Sequence, residues 1–192
     1  STTRCIALKF KNLFFFLLLC FYCLYFDNLN IFKICLLSSF AHETGHIAMY
    51  IILLNKVPKI EISIFGIKMT NDIKNEKHLK CILARGPVVN LFLSAVFYLL
   101  YNNRFTIQRY TAFWVNLIMF ALNMLPVYYL DGGQILCITS KFYQNHCKSI
   151  SILTVVFIGI IGIIMCLSGL NYGIIRAMLL FMVYFILNLA TD

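Results

Sequence analysis

The residues in this chain best equipped for chemistry are His42-Glu43-Thr44-Gly45-His46. At about 100° per residue, histidines four apart differ by about 40° around a helix axis and about 6 Å along it, so both imidazoles can converge on one metal ion. Glu43 stands beside them, placed to handle a proton rather than to bind the metal. A catalytic zinc needs three protein ligands and one open position. Asp131, in Leu130-Asp131-Gly132-Gly133, is the aspartate that adjoins an apolar run at the right end; Asp27 falls on the opposite side, Asp72 in a loop and Asp192 at the terminus. Gly132 and Gly133 permit the backbone to turn and bring that carboxylate inward. Pro126 should disrupt the helix a turn earlier and leave polar backbone that needs a protected environment.

The elements that must carry these groups are apolar. Hydrophobic residues make up 61% of the 192 residues and charged residues 12%, with mean hydropathy +0.86. A soluble domain averages about 25% charged, so a water-soluble monomer is excluded, and 16% aromatic content excludes intrinsic disorder. Apolar runs at about 13–26, 31–54, 81–100, 110–130, 150–168 and 174–189 predict an all-α polytopic membrane protein of about six transmembrane helices. Alternation in Lys59-Ile60-Glu61-Ile62-Ser63-Ile64, with a turn near Gly66, adds a small β-hairpin over 59–69. That hairpin could lie on the membrane surface or offer an edge strand to a substrate. Ionisable groups at bilayer depth each cost about 2.5 kcal/mol or more and usually mark a site, which sharpens the reading of His42, Glu43 and His46.

With six spans, most of the Lys and Arg residues lie on the side of the termini, so the positive-inside rule puts both termini in the cytoplasm. The net charge of +9 then reads as topology and attraction to anionic lipid, with no nucleic-acid partner. Depth agrees with the motif. His46 lies about 12 Å from the inner end of the second span and Asn90 about 14 Å in from Cys81, so both fall in the cytoplasmic half of the bilayer with Asp131. The eight cysteines are scattered through apolar sequence and read as packing thiols; Cys20 and Cys23 form a CxxC with no second pair.

Three motifs in order, His42-Glu43-Thr44-Gly45-His46, Gly86-Pro87-Val88-Val89-Asn90 and Asn123 through Gly133, make the chain resemble the site-2 proteases, the intramembrane zinc metalloprotease family, and most of all their bacterial sporulation-type branch. The motifs cover residues 42–133. The chain departs from the family pattern at Val127, Tyr128 and Tyr129, where a further proline is common. The resemblance implies one Zn²⁺ per chain held by His42, His46 and Asp131, Glu43 as general base, and Asn90 and Asn123 as polar contacts for substrate. It implies a single membrane-embedded domain with a catalytic core at about 31–133, accessory helices at about 6–26 and 150–189, and no PDZ or CBS module. The expected activity is hydrolysis of a membrane-tethered protein in or near its transmembrane segment, in a bacterial cytoplasmic membrane. A strand around Ile60–Ile64 would hold the unwound substrate extended. Two rivals stay open: a metal transporter, which leaves Glu43 without a role, and a catalytically silent pseudoprotease that binds clients without cutting them.

Overall fold

The helix that carries the histidines, α1 (Ile31–Leu54), is bracketed by two asparagines in the left-handed region, Asn30 at φ 56° and Asn55 at φ 49°. Asparagine tolerates this conformation better than other residues with a side chain. At the far end the Asn55 N–H closes on the Ile51 carbonyl at 2.9 Å, a left-handed cap that stops the helix. The computed structural model describes residues 9–10, 30–58, 60–63, 66–69, 73 and 75–167. The chain divides into two compact units, Ser1–Met124 and Leu125–Asp192.

The first unit holds β1 (Lys9–Phe10), α1, β2 (Ile60–Ser63), β3 (Gly66–Met69), α2 (Glu76–Asn103) and α3 (Ile107–Asn123). Asn75 caps α2 by accepting from the Lys77 N–H at 3.0 Å, and Thr106 caps α3 by accepting from the Arg109 N–H at 3.3 Å. Between them Arg109 donates to the carbonyls of Leu100 and Arg104, tying α2 and α3 into a hairpin on which α1 packs. Tyr98, Tyr101, Phe105, Tyr110, Phe113 and Trp114 stack around that hairpin. Its interior is mostly small and polar: Ser38, Gly45, Gly86, Asn90, Ser94 and Asn116 are buried, with Tyr50 and Ile82 among them, whereas Leu37, Phe40, Ile52 and Phe92 are more than 60% exposed. Apolar side chains outside with small and polar ones inside is the packing of helices solvated by lipid.

The second unit starts with an irregular stretch, then α4 (Asp131–Thr139) and α5 (Lys141–Leu167). Val127 and Val155 form its small core with Leu125 and Leu130. Ser140 separates the two helices and caps the second, accepting from the Tyr143 N–H at 3.3 Å. Burial, and then the neighbouring Cys147 thiol, pushes the Cys137 thiol up, and among the described residues Cys81, Cys137 and Cys147 form no disulfide.

The expected fold class is corrected in three respects. Among the described residues there are five helices, and one of them, α2, is long and apolar enough to cross a membrane; six transmembrane helices do not appear. His42, Glu43 and His46 themselves dilute the hydropathy of α1, and α3 stops after 17 residues ahead of Pro126. The runs at 13–26 and 174–189 lie outside the described residues. Second, the segment 59–69 is not a free-standing hairpin: β2 pairs antiparallel with β3 and parallel with β1, in a three-stranded sheet of order β1-β2-β3. Lys9 and Phe10, expected to begin a helix over 6–26, supply its third strand. Third, β2 is the central strand, and β1 already pairs with it at Glu61 and Ile62, two of the positions where a substrate was expected to pair.

Candidate metal centre

Within the first unit the spacing of four puts His42 and His46 one turn apart on α1, both buried at 6% exposure. Their rings meet edge to face at 82° with centroids 4.7 Å apart, and the two Nε2 atoms approach to 3.1 Å. Two nitrogens bound to one tetrahedral zinc at about 2.0–2.1 Å would stand about 3.3 Å apart, so this pair already has the separation that one ion requires.

Each ring is also held from behind. The His46 Nδ1 lies 2.7 Å from the main-chain carbonyl of Ile82 on α2. A carbonyl only accepts, so this nitrogen carries the proton and Nε2 presents its lone pair. The carbonyl stands next to Leu83, whose own helical acceptor role is disturbed because Pro87 four residues on has no N–H to give. His42 has its Nδ1 3.1 Å from the Asn90 amide nitrogen, also on α2. At His46, an N–H given from the outer nitrogen to a carbonyl, fixing tautomer and ring angle, is the usual support of a metal-binding histidine.

The close approach of α1 to α2 depends on missing side chains. A methyl at Gly86 would overlap the His46 ring and come within 2.7 Å of His42 Nε2; one at Gly45 would press on Val89 at 2.8 Å. Both imidazoles therefore lie directly over Gly86. Glu43 is partly buried on the same helix, between them in sequence.

Asp131 belongs to the second unit, and its placement differs from the expectation in one informative way. It does not end the preceding span: α3 stops at Asn123, and Asp131 is the first residue of α4. Its carboxylate stands at the positive end of α4 with Oδ2 buried. The stretch between is folded on itself, with the Val127 N–H on the Leu125 carbonyl at 2.8 Å and the Leu130 N–H on the Val127 carbonyl at 2.9 Å. It is anchored by the Tyr128 N–H, which donates to Ser151 Oγ at 2.9 Å. Gly132 and Gly133 are buried, and Gly133 is required by space: a Cβ there would collide with the Val127 carbonyl.

Of the two asparagines, Asn90 is fully buried against His42, whereas the partly buried Asn123 turns its amide back onto the Met119 carbonyl of its own helix at 3.0 Å. Sequence reasoning missed the Ile82 carbonyl, which no side-chain pattern can reveal, and gave Gly86 no role of its own. It also passed over Asn116, fully buried in α3 with its amide on the Ala112 carbonyl at 2.8 Å. An asparagine inside an apolar run was the signal available for it.

Residues 101–167 match the profile of Peptidase family M50, a stretch that takes in Asn123 and Asp131 and lies beyond the HExxH segment. The whole chain superposes on 93% of the site-2 protease from Methanocaldococcus jannaschii, with TM-score 0.61 and 18% sequence identity, a likeness of fold. No curated protein matches the chain by sequence. The resemblance to site-2 proteases read from three motifs thus has beside it a peptidase-family match over 101–167 and a likeness of fold; neither distinguishes the sporulation-type branch.

Proposed function

We infer that this chain, matched to a peptidase family and folded like a site-2 protease, is a membrane-embedded zinc metalloendopeptidase acting in or near the transmembrane segment of membrane-tethered proteins. The observation that carries the reading is the pair of buried imidazoles whose Nε2 atoms approach to 3.1 Å while each Nδ1 is engaged by α2. His42, His46 and Asp131 are the proposed ligands: two neutral nitrogens and one carboxylate, a donor set that suits zinc and leaves a fourth position open. Zinc, when bound, supplies a Lewis acid that brings the pKa of a water to about 7.

The remaining steps belong to the protein. Glu43 takes the proton of the attacking water and returns it to the departing amine, one group serving as base and then acid. The α2 contacts hold both rings at fixed angles, so no reorganisation of the ligands is needed when substrate arrives. The exposed apolar surface around α1 and α2 supports a bilayer setting, proposed to be a bacterial cytoplasmic membrane, and regulated intramembrane proteolysis is the role that such a setting suits.

The test is zinc content of the purified, folded chain in detergent, beside cleavage of a membrane-tethered reporter. About one zinc per chain is expected, with affinity reduced in Asp131→Asn. Glu43→Gln should keep zinc and lose cleavage by about 100- to 10,000-fold, the range for a general base. A folded wild type that takes up no zinc overturns the reading; zinc binding and transport that survive Glu43→Gln, with no cleavage by the wild type, would favour a transporter.

A further inference from the structure

The turn between α2 and α3 carries a cluster of rings that stays partly exposed. Tyr98 packs on Phe113, Phe113 on Trp114, Trp114 on Tyr110, and Tyr110 on Tyr101 and Phe105, with centroids 5.0–6.4 Å apart. Tyr98, Phe105, Tyr110 and Trp114 are nevertheless each more than 40% exposed. Most of these rings end in a hydroxyl or an indole N–H, so the surface is apolar in body and polar at its tips. Along α2 the exposed side chains change in a graded order: Val88, Leu91 and Phe92, then Tyr98 and Leu99, then Asn102, Asn103 and Arg104. At the turn itself exposed Phe105 and Ile107 alternate with Arg104 and Gln108, a mixture suited neither to open water nor to hydrocarbon.

We propose that this end of the hairpin is a lipid anchor: the rings seat in the layer where headgroups meet acyl chains, and Arg104 holds a lipid phosphate. Tyrosine and tryptophan collect at that boundary because one part of each is apolar and the other wet. The charge agrees. From 77 to 130 the chain has no acidic residue, so the turn and α3 supply Arg104 with no carboxylate. Arg109 is occupied within the fold, donating to the Leu100 and Arg104 carbonyls at 3.1 and 2.9 Å, where it closes the end of α2. Arg104 is exposed, and its planar guanidinium matches two oxygens of a phosphate. Among the described residues α2 is the one helix long and apolar enough to cross a bilayer, and it ends at this turn. The inference rests on the bilayer setting proposed above and on nothing at the metal centre, since Arg104 lies about 27 Å along α2 from Gly86.

Trp114 is the single tryptophan of the chain, so its fluorescence reports on this place alone. The full chain is reconstituted into vesicles of phosphatidylcholine and phosphatidylglycerol and floated on a density gradient. Its emission is then compared in lipid brominated near the carbonyl end of the acyl chain and in lipid brominated near the methyl end. Shallow bromines should quench Trp114 more than deep ones. Arg104→Gln, which loses the hold on phosphate, should lower the ratio of shallow to deep quenching while zinc content stays at the wild-type value. Quenching that is strongest with deep bromines overturns the placement at the boundary. A floated chain whose Trp114 neither lipid quenches overturns the anchor, because a protein surface then covers the rings. An unchanged ratio in Arg104→Gln overturns the phosphate contact. A chain that does not float overturns the bilayer setting along with this inference, whereas shallow quenching in a folded wild type that takes up no zinc overturns the metalloprotease reading alone.

Discussion

The histidine side and the aspartate side of the proposed centre are built on different principles. His42 and His46 stand one turn apart on a single helix, α1, and a second helix braces each of them, so their relation is set by helix geometry and close packing. Asp131 follows a non-helical stretch from Leu125 to Leu130, shaped by two backbone turns and one hydrogen bond to Ser151 on α5. The first arrangement is rigid because helices are rigid; the second is only as firm as a few local bonds. A two-part ligand set of this kind can take up a metal with little rearrangement on one side while adjusting on the other.

Substitutions can test that difference. The largest effect is expected on the histidine side from Gly86→Ala, whose methyl overlaps both rings. It should weaken zinc binding by at least about 100-fold, the upper end for lost support around a metal, as measured by competition with a chelator. An alanine variant that binds zinc normally would show that α1 and α2 can separate, and the claim of rigidity would fail. On the aspartate side, Ser151→Ala removes the hydroxyl that receives the Tyr128 N–H. It should cost about 1–3 kcal/mol of stability by thermal unfolding and reduce zinc affinity, yet leave the ¹⁵N signals of His42 and His46 unchanged in the zinc-free protein. Altered histidine signals would mean that the two sides are not independent. The smallest effect belongs to the end of α1, where Asn55→Ala places a side chain with no local hydrogen bonding in the left-handed region. A loss of about 1 kcal/mol is expected there, with Asn55→Gly neutral or slightly stabilising.

The same contrast explains what could be read in the sequence. HExxH depends on one helical period, and the predicted second span, 31–54, coincides with α1. Gly86 and Asn90 lie within one quotable motif of α2, and the structure assigns them a packing and a hydrogen-bonding reason. The aspartate side was harder. The apolar run over 110–130 is continuous in hydropathy apart from Pro126, and the stretch between the stop at Asn123 and the restart at Asp131 is tied down by the bond from Tyr128 to Ser151, 23 residues farther on. Hydropathy does not register a bond of that range. The strand at Lys9–Phe10 was hidden for a similar reason: two residues carry no alternation, and their pairing with β2 is a contact across some fifty positions. Counting spans failed where the functional groups themselves lowered the hydropathy of α1.

The His46 contact to Ile82 has a genetic consequence. Its acceptor is main chain, so every residue that keeps α2 helical at position 82 offers the same oxygen, and no substitution there deletes the bond directly. Ile82 is buried, so changes at that position will register as packing defects in a mutational scan. The intolerance that belongs to the hydrogen bond is displaced along the helix to Gly86, where any side chain lifts the ring away from its acceptor. A scan would therefore record the importance of this bond at a residue that takes no part in it.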